Sequence, residues 1–554
     1  MDCVAVFLFL FLSKIHHKKT TMSKLEVVVG TLSDLKDGEM KEVAVGEGKA
    51  LLVNQKGVYS AIGHACSHYG APLKNGVLHN GHVRCPWHGA CFNVTTGDIE
   101  DFPGLDGVKK FDVRIEGENV VLSTTEEEIK SGSKRTHTMC PRDQADARVV
   151  LILGGGPAGA SAVESLRQSG FAGRIVLISK ETHLPYDRTK LSKTPGVAAD
   201  SIALRSKDFY AQHGIELLLG VSVTELAADA KTATLSDGQV LKYDFAIVAT
   251  GSSPRILNVP GSTSKGVHVL RSPEDSAAFA ADAENKNVVI VGSSFIGMEA
   301  AAAIAKKAAS VTVLGLEAPF SRVFGEKVGA AVAKLHTDNN IKIVTSAAGV
   351  KSINTGADGG ITGVELADGT VLPGQVVLFG VGVQLNTQFV KAGAGVTVNP
   401  DGSISVDKFG HAGNGLYVAG DVARFPYKYS ASGSAAVRIE HFQVAERLGS
   451  IVGKNIAGKA TEIDTVPFFW TAHYGKSVRY AGYADKPDEI IIHGDLSAPK
   501  FAAFYVKDGA IVAAASLAAD PVVARFASLL STQQLPTPAQ VRDRAAGAEW
   551  TFTF

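Results

Sequence analysis

Cysteine is scarce in this chain, and its gaps are as informative as its positions. Five are present among 554 residues: Cys3, Cys66, Cys85, Cys91 and Cys140. That is too few for a disulfide framework and points to a reducing compartment, with a cytoplasmic location favoured. None lies between Gly159 and Phe554. The long C-terminal part therefore has no dithiol for disulfide-reductase chemistry and no cysteine cluster for a sirohaem-linked centre. A His-His-carboxylate domain for mononuclear iron is missing too, which excludes a self-contained ring-hydroxylating oxygenase. Charge of one sign is not in excess, since Lys+Arg and Asp+Glu each total 55. A chain that binds duplex DNA through its phosphates normally shows a basic excess or stripe, so no nucleic-acid partner is expected. The apolar run Cys3 to Leu12 is too short to span a bilayer. It follows Asp2 rather than a basic stretch and precedes no small-residue cleavage site, while Met22-Ser23-Lys24 reads as an ordinary cytosolic start. Residues 1–24 are expected to be a non-native or alternative-start extension, ahead of weak membrane or organelle targeting.

What is present begins with two mixed pairs, Cys66-Ser-His68 and Cys85-Pro-Trp-His88. A Rieske-type [2Fe–2S] centre holds one iron by two thiolates and the other by two imidazoles, so its ligands arrive as two Cys-His loops. Gly70, Pro86 and Gly89 allow such loops to turn tightly and aim backbone N–H groups at sulfur. Zinc also accepts two cysteines and two histidines, but its modules usually pair Cys with Cys and His with His. Cys91, just past His88, reads as a buried structural thiol rather than a further ligand.

Length suggests about three or four domains. Residues 25–123 alternate short apolar runs with Gly and Asn turns and are expected to form an all-β module. Residues 124–146 are polar and aperiodic and read as a mobile linker. Val149 to Leu153 then enters Gly154-Gly-Gly156-Pro-Ala-Gly159, an Ala-rich helix and the strand Ile175 to Ile178. A second unit runs from Val288 to Val291 through Gly292-Ser-Ser294-Phe-Ile-Gly297 to Val311 to Leu314. Alternating strand and helix signals imply two parallel-sheet domains, each with a dinucleotide loop at its first turn. The first glycine makes the turn, the second admits the pyrophosphate and the third packs helix on strand. Ser294 replaces the middle glycine in the second loop and crowds that approach. Glu181 and Glu317, each displaced past its strand, are the candidate ribose ligands, with solvated loop carboxylates as the alternative. The absence of Arg from Gly315 to Pro319 favours NADH over NADPH.

Residues 147–554 resemble the two-dinucleotide flavoproteins of the glutathione-reductase superfold. Tyr243 to Gly251, with Thr250 and Gly251 at its end, is similar to the strand-plus-ATG segment between the flavin and nicotinamide domains. Gly415 to Asp421 resembles the second flavin motif, in which an Asp binds the ribityl chain; Gly420 and Asp421 fall there. FAD is thereby implied for the first unit and a nicotinamide for the second. Leu184 to Lys193, which contains Arg188, and Arg438 to Phe442 resemble ferredoxin reductases of oxygenase systems and the apoptosis-inducing-factor group. The resemblance implies that Lys193 lies beside the flavin N5, paired with Glu299. It also implies that Trp470, in Pro467-Phe-Phe-Trp470, lies near the isoalloxazine, although an ordinary core role competes for it. The strings Cys85 to Phe92 and Phe295 to Glu299, with the order of the modules, look like the Rieske-containing branch of apoptosis-inducing-factor-like proteins, some of which are mitochondrial by resemblance.

The implied architecture is an all-β Rieske module (25–123), a linker (124–146), an FAD-binding domain in two parts (147–265 and 391–463), an NAD(P)H-binding domain (266–390) and an α+β C-terminal reductase domain (464–554). The implied activity is an NAD(P)H-dependent flavoprotein reductase. It would pass electrons from FAD to the cluster, imidazole side exposed, and on to a one-electron acceptor, protein or small molecule. High-potential relatives carry an extra disulfide at positions matching Ala71 and Trp87, so a potential near roughly −150 mV is expected. A redox-sensing or apoptosis-related signalling protein with slow turnover is the rival reading, and a Rieske module that only docks a partner is a third. The acceptor, the cluster-to-flavin distance and the oligomeric state are not legible in the sequence.

Overall fold

The computed structural model describes residues 24–543 except 392, 394, 434 and 499; the N-terminal apolar run and Cys3 lie outside them. The β-rich module opens with a six-stranded antiparallel sheet. Its order is Lys24–Thr31, Asn119–Thr125, Lys110–Glu116, Val58–Gly63, Gly48–Gln55, Met40–Val45. A smaller sheet of Val77–His79, His82–Arg84, Cys91–Asn93 and Ile99–Asp101 stands beside it. The second Cys-His loop is the connection from Arg84 to Cys91, so two paired strands clamp its ends. Leu51, Val53, Ile62, Leu73, Val83, Phe92 and Val108 form a core directly beneath both ligand loops.

The first dinucleotide domain is a parallel sheet ordered Ile215–Leu219, Arg174–Ser179, Val149–Leu153, Phe245–Val248, Leu416–Val418. Val150 to Leu153 is fully buried, the continuous apolar run that a strand covered on both faces requires. Leu416–Val418 returns to this sheet after the whole second domain, which joins the two flavin segments into one unit. The helix Phe442–Ile456 then packs on Pro157–Gln168 so closely that a Cβ on Gly449 would sit 2.1 Å from the Ala158 carbonyl oxygen. The second domain repeats the plan with Val267–His268, Val376–Phe379, Asn287–Val291, Ser310–Gly315 and Lys342–Thr345. A five-stranded antiparallel sheet over Phe468–Asp495 and Lys500–Leu517, backed by Val522–Ser531, completes the chain.

The stretch 124–146 departs from the expected mobile linker. Thr124 and Thr125 finish a strand, and Thr125 caps the helix Glu126–Lys130 by accepting from the Glu128 amide. Ile129 enters the β-module core at 4% exposure, and Lys134–Arg135 pairs with Gly107–Val108. Farther on, the Cys140 and Asp143 amides donate to the Arg167 and Ala172 carbonyls. Polar composition hid a segment whose backbone is paired on both modules.

Candidate functional site

A cavity of about 880 Å³ opens over the first βα turn. Its walls include Gly154, Gly156, Glu181, Arg188, Thr250, Gly251, Gly420 and Asp421. The glycines divide their work. A Cβ on Gly154 would lie 2.2 Å from the Ala249 carbonyl oxygen, and one on Gly159 would lie 2.0 Å from that of Gly154. At Gly156 a Cβ would meet nothing within 4 Å. Two glycines therefore serve packing, and the middle one faces open space at the N-terminus of Pro157–Gln168, where unpaired amides favour an anion. The cavity and its bare helix end fit the FAD that the sequence motifs imply.

Glu181 does not stand free in a loop. Arg188 Nη2 donates to its Oε1 at 2.8 Å and the Tyr186 hydroxyl to its Oε2 at 2.7 Å. Asp421 accepts from Ser252 Oγ at 3.0 Å. His441, in the Arg438 to Phe442 string, lines the cavity as well; so do Arg271 and Asn386, which were not singled out by the sequence because each comes from a segment with no local signature. Burial pushes the Arg271 guanidinium down from its ordinary value, and it faces the same site as Asp421.

The second loop has the same geometry. Cβ atoms on Gly292 and Gly297 would lie 2.2 Å from the Gly380 and 2.1 Å from the Gly292 carbonyl oxygens. Ser294 caps Phe295–Ile304 by position, but its side chain makes no capping bond, so the amides there remain open to an anion as the nicotinamide reading requires. Glu317, beyond the strand Ser310–Gly315, is held at both oxygens by Arg322 at 2.8 and 3.0 Å. The nearest arginine thus lies outside Gly315 to Pro319 and answers Glu317 from the following helix.

Lys193 and Glu299, far apart in sequence, form an ion pair at 2.9 Å. Glu299 is 4% exposed, and its oxygens also accept from Thr471 Oγ1 at 2.7 Å and from the Ser192 hydroxyl. Lys193 Nζ additionally donates to the carbonyl of Thr189, a residue of the cavity wall. Thr471 comes from the C-terminal sheet, so three domains meet at one carboxylate.

The two Cys-His loops are near copies. In each, the Cys amide donates to an alanine carbonyl, Ala71 or Ala90, and a glycine in the left-handed region, Gly70 or Gly89, donates back to the Cys carbonyl. The amides of His68 and Tyr69 point at the Cys66 sulfur, and those of Trp87 and His88 at the Cys85 sulfur. The thiols lie within hydrogen-bond reach of each other, which raises the Cys66 thiol and lowers that of Cys85; a cation between them lets both ionise. The imidazoles form the other half of the donor set, with centroids 4.9 Å apart. Burial pushes His68 down to about 4 and His88 to about 2, so both rings are neutral, the ligating form. His68 Nδ1 is buried without a hydrogen-bond partner. No three His, Cys, Asp or Glu side chains among the described residues converge on one point. A donor set split between sulfur and nitrogen suits two irons better than one zinc. Cys91 is buried in its strand with its thiol pushed up to about 11, an inert position.

The imidazoles, expected to face solvent, face the reductase instead. The Trp470 indole lies 4.1 Å from His88 and 5.8 Å from His68 by ring centroids. Trp470 is not among the residues lining the first cavity. Trp470 caps the imidazole end of the β-module, because Phe468–His473 runs directly under the second ligand loop. A Cβ on Gly89 would lie 2.6 Å from the Phe468 ring.

Polar bonds surround this contact. Arg205 clasps Asp106 at 2.8 and 2.9 Å, Arg479 Nε donates to the Trp87 carbonyl at 2.9 Å, and Gln443 donates to Asp101 at 2.6 Å. The Tyr69 hydroxyl donates to Asp187, and Lys190 Nζ lies 3.9 Å above the Tyr69 ring. Ser67 Oγ donates to the Asp106 carbonyl at 2.5 Å. Both loop hydroxyls are thus bonded away from the ligand sulfurs.

Three family models match the chain: the Rieske [2Fe-2S] domain over residues 26–112, the pyridine nucleotide-disulphide oxidoreductase over 148–449 and the reductase C-terminal over 468–547. Apoptosis-inducing factor 3 of Homo sapiens is 40% identical over 528 residues, 94% of this chain and 86% of that protein. Rhodocoxin reductase of Rhodococcus erythropolis is 32% identical over 71% of this chain and 92% of its own. Among solved structures, the covalent putidaredoxin reductase–putidaredoxin complex superposes with a TM-score of 0.67 at 28% identity, covering 72% of this chain and 96% of that one. A ferredoxin reductase from Rhodopseudomonas palustris gives 0.65 at 30% identity, covering 71% and 97%.

Proposed function

This chain belongs to the pyridine nucleotide-disulphide oxidoreductase family, as a ferredoxin-reductase-like flavoprotein with a Rieske domain, and from that premise we propose that it moves electrons from NAD(P)H through FAD to its own cluster and out to a one-electron acceptor. The observation that carries the path is the packing of Trp470 against both His68 and His88. When bound, the flavin accepts a hydride and can release electrons singly, which is what a cluster able to take one at a time needs.

The chain's own residues supply the rest. Gly156 and the first turn of Pro157–Gln168 hold the pyrophosphate, while Glu181 and Asp421 hold the ribose and the ribityl chain. Lys193, kept in place by Glu299, sets a positive charge behind the cavity wall. Glu317, held in place by Arg322, accepts ribose hydroxyls, the role of the acidic residue in an NADH site. Cys66, Cys85, His68 and His88 hold the cluster. Tyr69 and Trp87 flank it with 37% and 40% exposure, an aromatic rim on which an acceptor protein can dock.

The test is anaerobic addition of NADH to the purified holoprotein, followed by electron paramagnetic resonance. A reduced Rieske signal appearing with flavin bleaching is expected. Flavin reduction with a cluster that stays oxidised would favour the sensor reading.

A further inference from the structure

The hydrogen bonds at Glu299 do not end at Thr471. Thr471 Oγ1 also lies 2.9 Å from His473 Nε2, and the His473 ring meets that of His336 edge-on, with centroids 4.8 Å apart at 62°. On the far side, His336 Nδ1 lies 3.3 Å from the Tyr474 hydroxyl. Tyr474 is partly exposed, next to the exposed Gly475 at the tip of a hairpin. Both histidines are fully buried, and burial pushes each down to about 3. Each ring is therefore neutral, with one N–H and one lone pair.

Two buried nitrogens on these rings have no partner, His473 Nδ1 and His336 Nε2. Orphaned polar atoms are uncommon in a packed interior, and these two belong to neighbouring rings. One bridging water between the two rings satisfies both together. With that link made, the chain from Glu299 to Tyr474 is continuous, and it has a use. The reaction NADH + 2 A(ox) → NAD⁺ + H⁺ + 2 A(red), with A a one-electron acceptor, frees one proton per hydride. On the reading above the electrons leave through the cluster, and with Lys193 beside the flavin, as the resemblance implies, the proton is left near Glu299, a carboxylate that is 4% exposed.

We propose that Glu299, Thr471, His473, His336 and Tyr474 form a proton exit from the Lys193 end of the flavin site to the surface. This rests on the electron-transfer reading above. In the outward setting, Glu299 donates to Thr471 Oγ1, Thr471 to His473 Nε2, His473 Nδ1–H through the bridging water to His336 Nε2, and His336 Nδ1–H to the Tyr474 oxygen. At each link one O–H or N–H bond breaks as the next forms, and no electron moves. Passage of one proton turns every donor inward, and the reverse rotation and tautomer exchange reset the chain. Neutral rings suit this role, because each can receive at one nitrogen while releasing from the other.

The experiment mixes NADH-reduced holoenzyme with ferricyanide in weakly buffered phenol red, comparing wild type with His473→Phe and Tyr474→Phe. The second variant removes one hydroxyl and keeps the ring, so it stays informative if the first melts early. In wild type, proton release keeps pace with ferricyanide reduction. In the variants it lags by about a hundredfold, the lower end of the range for positioned proton transfer, and added imidazole shortens the lag in His473→Phe. Release at the wild-type rate in both variants overturns the proposal. A readout without turnover is ¹⁵N resonance of labelled histidines in the resting enzyme. One of the two orphaned nitrogens should carry a proton and the other be bare; both bare or both protonated overturns the proposal. Ferricyanide can drain either redox centre, so a cluster that stays oxidised sinks the electron path while the proton measurement still stands.

Discussion

Gly156 and Gly159 belong to one motif but should respond differently to a methyl group. Gly159→Ala drives a Cβ to 2.0 Å from a carbonyl oxygen and should give misfolded, flavin-free protein. Gly156→Ala meets no protein atom within 4 Å and keeps a φ of −81°, so the apoprotein should melt within about 0.5 kcal/mol of wild type while FAD is lost. Flavin released on heating, set beside apoprotein melting, separates the two outcomes. Trp87 allows a second test at this scale. Its carbonyl is fixed by Arg479, so Trp87→Ala removes the exposed indole and leaves the loop anchored. For an acceptor such as cytochrome c, KM should rise about tenfold or more, as for an aromatic hot spot worth about 2 kcal/mol, with ferricyanide reduction unchanged. An unchanged KM would place the docking surface elsewhere.

At the scale of elements, the β-module is fastened by buried charges whose pH response has a definite sign. Burial pushes Asp106 up, but its bonds to Arg205, Lys134 and Thr136 outweigh this and hold it below the ordinary 3.8. A lowered carboxyl contributes stability that is complete above the unfolded-state value and is lost as pH falls through the folded one. Glu164, which shares Arg205, is pushed up by burial and takes its proton first, leaving the guanidinium to Asp106. Melts read separately at the flavin and cluster bands should therefore coincide from pH 8 to about 5 and part only below about 3.8. Asp106→Asn should part them at neutral pH, at a cost below the roughly 3 kcal/mol of a fully uncompensated buried charge, because Glu164 keeps both its bonds to Arg205. The same principle applies inside the reductase. Glu299→Gln leaves Lys193 without its carboxylate and should cost about 3 kcal/mol in denaturant unfolding, whatever its effect on turnover.

Across the whole molecule, the proposed electron path through a docked β-module implies that cluster reduction is an internal event. Its rate after NADH mixing should not change with protein concentration, and a second-order dependence would show that the module reaches the flavin of another copy. The midpoint should fall near roughly −150 mV, since the Ser67 and Tyr69 hydroxyls are bonded to Asp106 and Asp187 rather than to sulfur, and hydrogen bonds to sulfur are a main lever on the potential. A midpoint above zero in a redox titration would contradict that account.

Local chemistry was legible in the chain itself. The Cys-His loops, the two glycine turns and the strand flanking each are short-range patterns, because a ligand loop or a phosphate turn is built from neighbouring residues. Glycine at 159 is demanded by the Gly154 carbonyl that the same turn brings close, so spacing reveals it, whereas Gly154 answers the Ala249 carbonyl from a distant strand end. What the tertiary structure decided is how the modules face one another. Trp470 meets His68 and His88, Thr471 meets Glu299, and Arg205 meets Asp106 only because separate domains close on each other, and no periodicity along the chain encodes such a meeting. The polar stretch 124–146 was misread for the same reason, since its backbone partners lie on two modules. The sequence determined which cofactors this protein can hold. Packing between domains decided that its imidazoles face inward, toward the reductase.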